Sequence, residues 1–223
     1  MSADYPKRLS HLFAGAFLAC AVLGVWFTGM RSVESEAGLV EIMTALTLCA
    51  ALILFGLTSG GDMIRRYWFG AVILAFLCAR EFDVDKWMFD DGLLSLRHYT
   101  GVAPLWQKGV GAAIVGGLLV ALMTLGLKGF APLLRGLRQR KSWAFLIIAA
   151  LGLLTLGKSL DGFERKFPDL SLLLPSAASQ YALFCEEVAE LTAALCLLLA
   201  VPRMPIRGRE TDHFRRSAHH EIS

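Results

Sequence analysis

Six long apolar runs, separated by shorter polar segments, organise the chain. Each run approaches the roughly 20 residues that a helix needs to cross the hydrocarbon core of a bilayer. The runs lack the strict alternation of polar and apolar positions that is typical of a transmembrane β-barrel strand. The pattern therefore predicts six transmembrane helices, at about residues 10–30, 37–58, 63–82, 107–128, 142–161 and 180–202.

Composition favours the same class of protein. Hydrophobic residues make up 56% of the chain and charged residues only 18%, a balance too apolar for an ordinary soluble domain. The first run is longer than the apolar region of a signal peptide and ends without a small-x-small cleavage site, so we expect it to be a helix. The predicted fold is an all-α, polytopic membrane protein whose six-helix domain occupies residues 1–202.

Basic residues indicate the orientation of the helices. By the positive-inside rule, the side richer in Lys and Arg is cytoplasmic. That side would include the short loops Ser59–Asp62 and Lys128–Lys141 and the basic tail 203–223, with both termini inside. This distribution is typical of a bacterial-type inner (plasma) membrane protein. The bases on that side number 14 of 22: Lys7, Arg8, Arg65, Arg66, Lys128, Arg135, Arg138, Arg140, Lys141, Arg203, Arg207, Arg209, Arg215 and Arg216.

Six acidic residues lie inside or at the mouths of the apolar runs, and this topology puts these six on the outer side: Glu41, Glu81, Asp161, Glu186, Glu187 and Glu190. A charged side chain in hydrocarbon costs at least about 2.5 kcal/mol, so an intramembrane carboxylate predicts a functional site. Glu190 follows Glu186 by four residues and Glu187 by three, and it shares a helical face with each. We expect Glu41, Glu81, Glu187 and Glu190 to approach one another, with Arg80, Asp161 and Arg165 as a second set.

Three interpretations of these charges remain open. The first is a structural network of ion pairs that holds the helix ends together and has no catalytic role. The second is an outward-facing pocket that binds a cation or a metal-bridged anionic group and acts on a lipid-like substrate. The third is a proton- or cation-coupled transporter or sensor. A pathway through the membrane normally needs polar groups along its length, and Asp62 is the only acid in the predicted inner half.

The pocket interpretation assigns roles to particular residues. Clustered carboxylates bind Mg²⁺, Ca²⁺ or Mn²⁺ through oxygen, and nearby bases bind anionic groups. The catalytic candidates are Glu187, Glu190, Glu81 and His98. The candidate metal ligands are Glu41, Glu81, Glu186, Glu187 and Glu190. The anion-binding or ion-pairing candidates are Arg80, Lys86, Arg97, Lys158, Asp161 and Arg165.

Other cofactors and partners find little support in the sequence. No histidine lies in mid-membrane, which argues against haem, and no nucleotide or nucleic-acid motif is present. We interpret the five cysteines as buried small hydrophobic residues; a Cys78–Cys185 bridge would require the third and sixth helices to be neighbours.

Membrane lipids are the expected partners. Small residues at four-residue spacing on the first and fourth helices predict close helix packing, within the chain or in a homo-oligomer. On the fourth helix these residues are Gly109, Ala113, Gly117 and Ala121; on the first they are Ala16, Cys20, Gly24 and Thr28.

Overall fold

A computed structural model describes residues 5–28, 38–59, 61–89, 92–160 and 178–204, and these residues contain helices and no strands. The all-α class is thereby confirmed for this part of the chain. The helices are α1 (Tyr5–Thr28), α2 (Leu39–Thr58), α3 (Gly61–Glu81), α4 (Val84–Met88), α5 (Leu96–Thr100), α6 (Leu105–Thr124), α7 (Phe130–Arg138), α8 (Ser142–Leu160) and α9 (Ala178–Ala200). A π turn, Leu125–Gly129, joins α6 to α7, and a 3-10 turn, Val201–Arg203, follows α9.

Helix α2 is the centre of the bundle and packs against α1, α3 and α9. Its sequence is apolar on nearly every face, as expected of a helix surrounded by others. Leu54 and Phe55 lie in the main core with Leu198 of α9. The thiols of Cys49 and Cys78 also meet there, with their sulfur atoms 2.7 Å apart, and fix the contact between α2 and α3.

Three described helices are long and apolar enough to span a membrane: Leu39–Thr58, the continuous helix Leu105–Arg138, and Ser142–Leu160. Within the most apolar stretch, 50% of the residues of α2 are buried, against 11% for Leu105–Arg138. Large apolar side chains such as Leu119, Met123 and Leu156 are exposed on the outer helices. An exposed apolar surface of this extent is expected where a helix faces lipid.

The segment from Lys128 to Arg138 is helical, so the prediction of a loop over Lys128–Lys141 was wrong. A π turn carries the backbone through the first part of the segment, and the chain leaves the helix only at residues 139–141. Basic residues interleaved with Gly129, Pro132 and Gly136 suggested a loop. In the helix, Leu134 and Leu137 are three residues apart, and so are Arg135 and Arg138. This spacing is typical of an amphipathic helix.

Three of the four small residues on α6 do not pack against another helix among the described residues. Gly109, Ala113 and Gly117 are exposed, and no atom lies within 4 Å of a Cβ built on either glycine; only Ala121 is buried. Two cysteines also differ from expectation, because Cys20 and Cys185 are exposed. All five cysteines are free thiols. The spacing of small residues shows which of them share a helix face, and cysteine is usually a buried residue type. Whether such a position is in fact buried depends on a neighbouring helix.

Candidate functional site

Three of the candidate charged residues lie at the ends of helices. Arg80 lies in the last turn of α3 and Lys158 in the last turn of α8, where a positive charge interacts favourably with the helix dipole. Glu41 lies in the first turn of α2, where a negative charge is favourable, and the N-cap residue Gly38 provides no side-chain cap. Local helix electrostatics thus account for the sign of the charge at each of these ends.

Glu190 of α9 is the centre of the ion pairs. Arg80 Nη2 donates a hydrogen bond of 2.6 Å to Glu190 Oε1, and the same nitrogen lies 3.5 Å from Glu81 Oε1. Lys158 Nζ lies 3.9 Å from Oε1 of both Glu186 and Glu190. We refer to Arg80, Glu81, Lys158, Glu186 and Glu190 as the ion-pair cluster.

The carboxylates of the ion-pair cluster are more deeply buried than its bases. The side chains of Glu81 and Glu190 are 8% and 9% exposed, whereas those of Arg80 and Lys158 are 33% and 48% exposed. Because a buried carboxylate without a positive partner is expensive, the Arg80–Glu190 hydrogen bond is the contact on which burial of Glu190 depends. Lys158 contributes less, since it is half exposed and lies at the limit of ion-pair distance.

Gly157 allows α8 to approach α9 at this site. A Cβ added to Gly157 would lie 3.3 Å from Glu190 Cγ and 3.7 Å from the Glu186 carbonyl oxygen. Any larger residue would push against the side chain that accepts the Arg80 hydrogen bond. Sequence reasoning missed this residue, because a single glycine in an apolar run indicates close packing only when the neighbouring helix is known.

Glu187, next to the ion-pair cluster, has a different electrostatic environment. It is half-buried, and the charges that act on it are the carboxylates of Glu190, Glu41, Glu81 and Glu186. No salt bridge among the described residues includes Glu187. Glu81 also interacts electrostatically with Glu190 and Glu41.

His98, one of the catalytic candidates, is not part of the ion-pair cluster. His98 on α5 is 1% exposed, packs between Phe89 and Tyr99 with ring centroids 4.9 and 5.1 Å away, and has no hydrogen-bond partner at Nε2. Arg97 is exposed on the same short helix. The side chain of Lys86, and all of Asp161 and Arg165, lie outside the described residues.

The donor set bears on the predicted metal site. Among residues 5–28, 38–59, 61–89, 92–160 and 178–204, no group of three or more His, Cys, Asp or Glu side chains is arranged to hold a metal ion. From the described residues, a cation at this site would therefore have one or two carboxylate ligands. Mg²⁺ commonly binds in this way, through one or two carboxylates, several waters and the phosphate oxygens of a substrate.

The fold and the site define an all-helical protein with at least three helices of membrane-spanning length and a partly buried group of ion pairs at the ends of α3 and α8. No protein-family model matches the chain, and neither does any curated protein or solved structure.

Proposed function

We propose that this chain is a multi-pass inner-membrane protein that binds a cation, or an anionic group bridged by a metal ion, beside the ion-pair cluster. In this proposal α1, α3 and α9 are spans in addition to the three helices above, since they have 24, 21 and 23 residues. With both termini cytoplasmic, the ion-pair cluster faces outward. The substrate class that fits this position is a lipid-like molecule with an anionic headgroup in the outer leaflet.

The environment of Glu187 is the observation that carries the proposal. Four carboxylates act on Glu187 electrostatically, while Arg80 and Lys158 lie within 4 Å of three of those carboxylates and form no ion pair with Glu187 among the described residues. Several carboxylates close together in a partly buried site repel one another strongly. A bound cation would relieve that repulsion, and carboxylate oxygens are preferred ligands of Mg²⁺, Ca²⁺ and Mn²⁺.

The exposure of the two bases supports the second part of the proposal. Arg80 and Lys158 lie at the accessible side of the buried carboxylates. A phosphate held by a metal at Glu187 would have a guanidinium and an ammonium group nearby, and both bind phosphate oxygens. The pocket would then provide a metal and two positive side chains for one anionic headgroup.

Binding of Mn²⁺, which is detectable by electron paramagnetic resonance and competes with Mg²⁺, tests the proposal. The purified protein in lipid nanodiscs is expected to bind one Mn²⁺ that Mg²⁺ displaces, and Glu187→Gln is expected to weaken binding at least tenfold. Glu210→Gln, which removes one carboxylate from the basic tail, is the matched control and should bind as the parent does. A parent that binds no Mn²⁺, or a Glu187→Gln variant that binds it equally well, would overturn the metal site.

The alternative functions predict different results in the same preparation. A proton-coupled transporter or sensor would bind no Mn²⁺ but would take up protons in a manner sensitive to Glu187→Gln. A purely structural network would show neither response, and only its stability would change on substitution.

A further inference from the structure

The hairpin of α7 and α8, at the other end of α8, carries a concentrated and uncompensated positive charge. Between residues 92 and 160 the sequence contains no acidic residue. None of the five exposed bases at the hairpin forms an ion pair among the described residues. They lie within fourteen residues: Lys128, Arg135, Arg138, Arg140 and Lys141. Such a surface attracts a polyanionic partner.

An exposed apolar stripe lies beside these bases. Leu127, Phe130 and Leu134 are 81%, 60% and 39% exposed, and their spacing of three and four residues puts them on one face of the helix. In water this face would be costly. At the boundary between lipid headgroups and acyl chains it is favourable, because the apolar side enters the acyl region while the bases meet the headgroups.

Helix length puts the beginning of α7 at that boundary. The continuous helix Leu105–Arg138 has 34 residues, or about 51 Å at the usual rise per residue. A hydrocarbon core is about 30 Å thick and takes about 20 helical residues to cross, so roughly fourteen residues extend beyond it. A span that begins at Leu105 ends next to the π turn Leu125–Gly129, and all five bases lie within that turn or after it.

Close packing joins the two helices of the hairpin. A Cβ on Gly136 would lie 2.6 Å from Trp143 Cζ2 and 2.9 Å from Ala144 Cβ, so α7 and α8 touch at the base of the hairpin. The turn is closed by hydrogen bonds from Lys141 N to the Gly136 carbonyl and from Arg140 N to the Leu137 carbonyl. This pair of bonds is the Schellman motif that ends many helices.

Arg140 occupies the position of the Schellman motif that usually belongs to glycine. Its φ is 53°, in the left-handed region that is costly for a residue with a side chain. An arginine where glycine would be more stable is a specific observation that stability of the turn does not explain. A requirement for positive charge at this point of the surface does explain it.

From these observations we infer that the α7–α8 hairpin is a binding site for the phosphate headgroups of anionic phospholipids. Guanidinium groups bind phosphate in a paired geometry, and clusters of four to eight bases beside a transmembrane helix are typical of anionic-lipid sites. The apolar stripe favours a lipid over an acidic protein, because it requires an acyl region next to the headgroups. The inference does not depend on the cation site proposed above.

Native mass spectrometry of the full chain in detergent, titrated with phosphatidylglycerol or phosphatidylcholine, tests the inference. The parent is expected to bind phosphatidylglycerol at least tenfold more tightly. Arg138→Gln combined with Arg140→Gly should abolish most of this selectivity without loss of folding, because glycine is favoured at position 140. The matched control, Arg65→Gln with Arg66→Gln, removes two exposed bases elsewhere and should retain the selectivity.

Three outcomes would overturn the inference. The first is a parent without preference for phosphatidylglycerol, and the second is a hairpin variant that binds it as tightly as the parent. The third is an equal loss in the hairpin variant and the control, which would indicate a general effect of charge. If the parent lacked lipid preference but an acidic protein copurified with it and not with the hairpin variant, the hairpin would be a protein-binding surface instead.

Discussion

Lysine and arginine residues lie near both ends of α8, but in opposite environments. Ser142 and Lys158 are sixteen residues apart, which is about 24 Å along a helix. Near Lys158, bases contact buried carboxylates at 2.6 to 3.9 Å, whereas at the hairpin five exposed bases have no acidic residue in their part of the sequence. The difference teaches that burial, rather than residue type, decides whether an arginine stabilises the bundle or remains available to an outside partner.

Replacing one arginine in each region gives the largest contrast. We expect Arg80→Gln to lower the free energy of unfolding by about 2 kcal/mol. This is less than the roughly 3–5 kcal/mol typical of a broken buried pair, because Arg80 is one-third exposed. Arg135→Gln, at an exposed site, should change it by no more than about 0.5 kcal/mol. Unfolding of the purified variants by sodium dodecyl sulfate in mixed micelles measures both values.

The combination of Arg80→Gln with Glu190→Gln is the control for this contrast. Arg80→Gln leaves two buried carboxylates, Glu81 and Glu190, without their guanidinium partner. The double variant eliminates one of them, so it should be more stable than Arg80→Gln alone. If Arg80→Gln were tolerated as well as Arg135→Gln, the ion pair would make no contribution and the contrast between the two ends would be lost.

Two glycines of α8 separate the packed part of the helix from the lipid-facing part. Gly157→Val should reduce stability by about 1.5 kcal/mol, within the usual cost of overpacking, because the new side chain would press on Glu190. Gly152→Val has the same chemistry at a position with no atom within 4 Å of the added Cβ, and it should not be destabilising. Thermal unfolding in detergent compares them, and equal losses in the two variants would contradict the close approach of α8 and α9.

The sequence predicted helices where apolar runs were long enough, because local hydrophobicity is sufficient to specify a membrane-length helix. It did not predict the helical segment beyond Lys128, since glycine, proline and arginine there also occur in loops. Nor did it identify Gly157, whose importance comes from the pairing of α8 with α9. The exposure of Gly109, Ala113 and Gly117 on α6 could not be predicted for the same reason. Their spacing is a local property of the sequence, whereas a partner helix is a property of the fold.

Candidate site residues show the same limit. Helix order and spacing suggested that Arg80 and the glutamates of α9 share one level, but they could not indicate which carboxylate accepts the guanidinium. The structure selects Glu190, because it alone accepts the 2.6 Å hydrogen bond while also lying beside Lys158. His98 was suggested by its position in a charged loop; its burial between two aromatic rings depends on how that loop folds.

Lys158 should give a smaller effect than Arg80, and it tests the comparison inside the ion-pair cluster itself. Its side chain is 48% exposed and lies 3.9 Å from two carboxylates, so Lys158→Gln should cost less than about 1 kcal/mol. In roughly 1 M salt, where screening acts over about 3 Å, that loss should nearly vanish while the loss from Arg80→Gln persists. A salt-independent loss as large as that of Arg80→Gln would contradict the prediction, because it would mean that Lys158 also compensates a buried charge. Both bases of the ion-pair cluster would then belong with the paired bases, and the accessible bases would all lie outside the cluster.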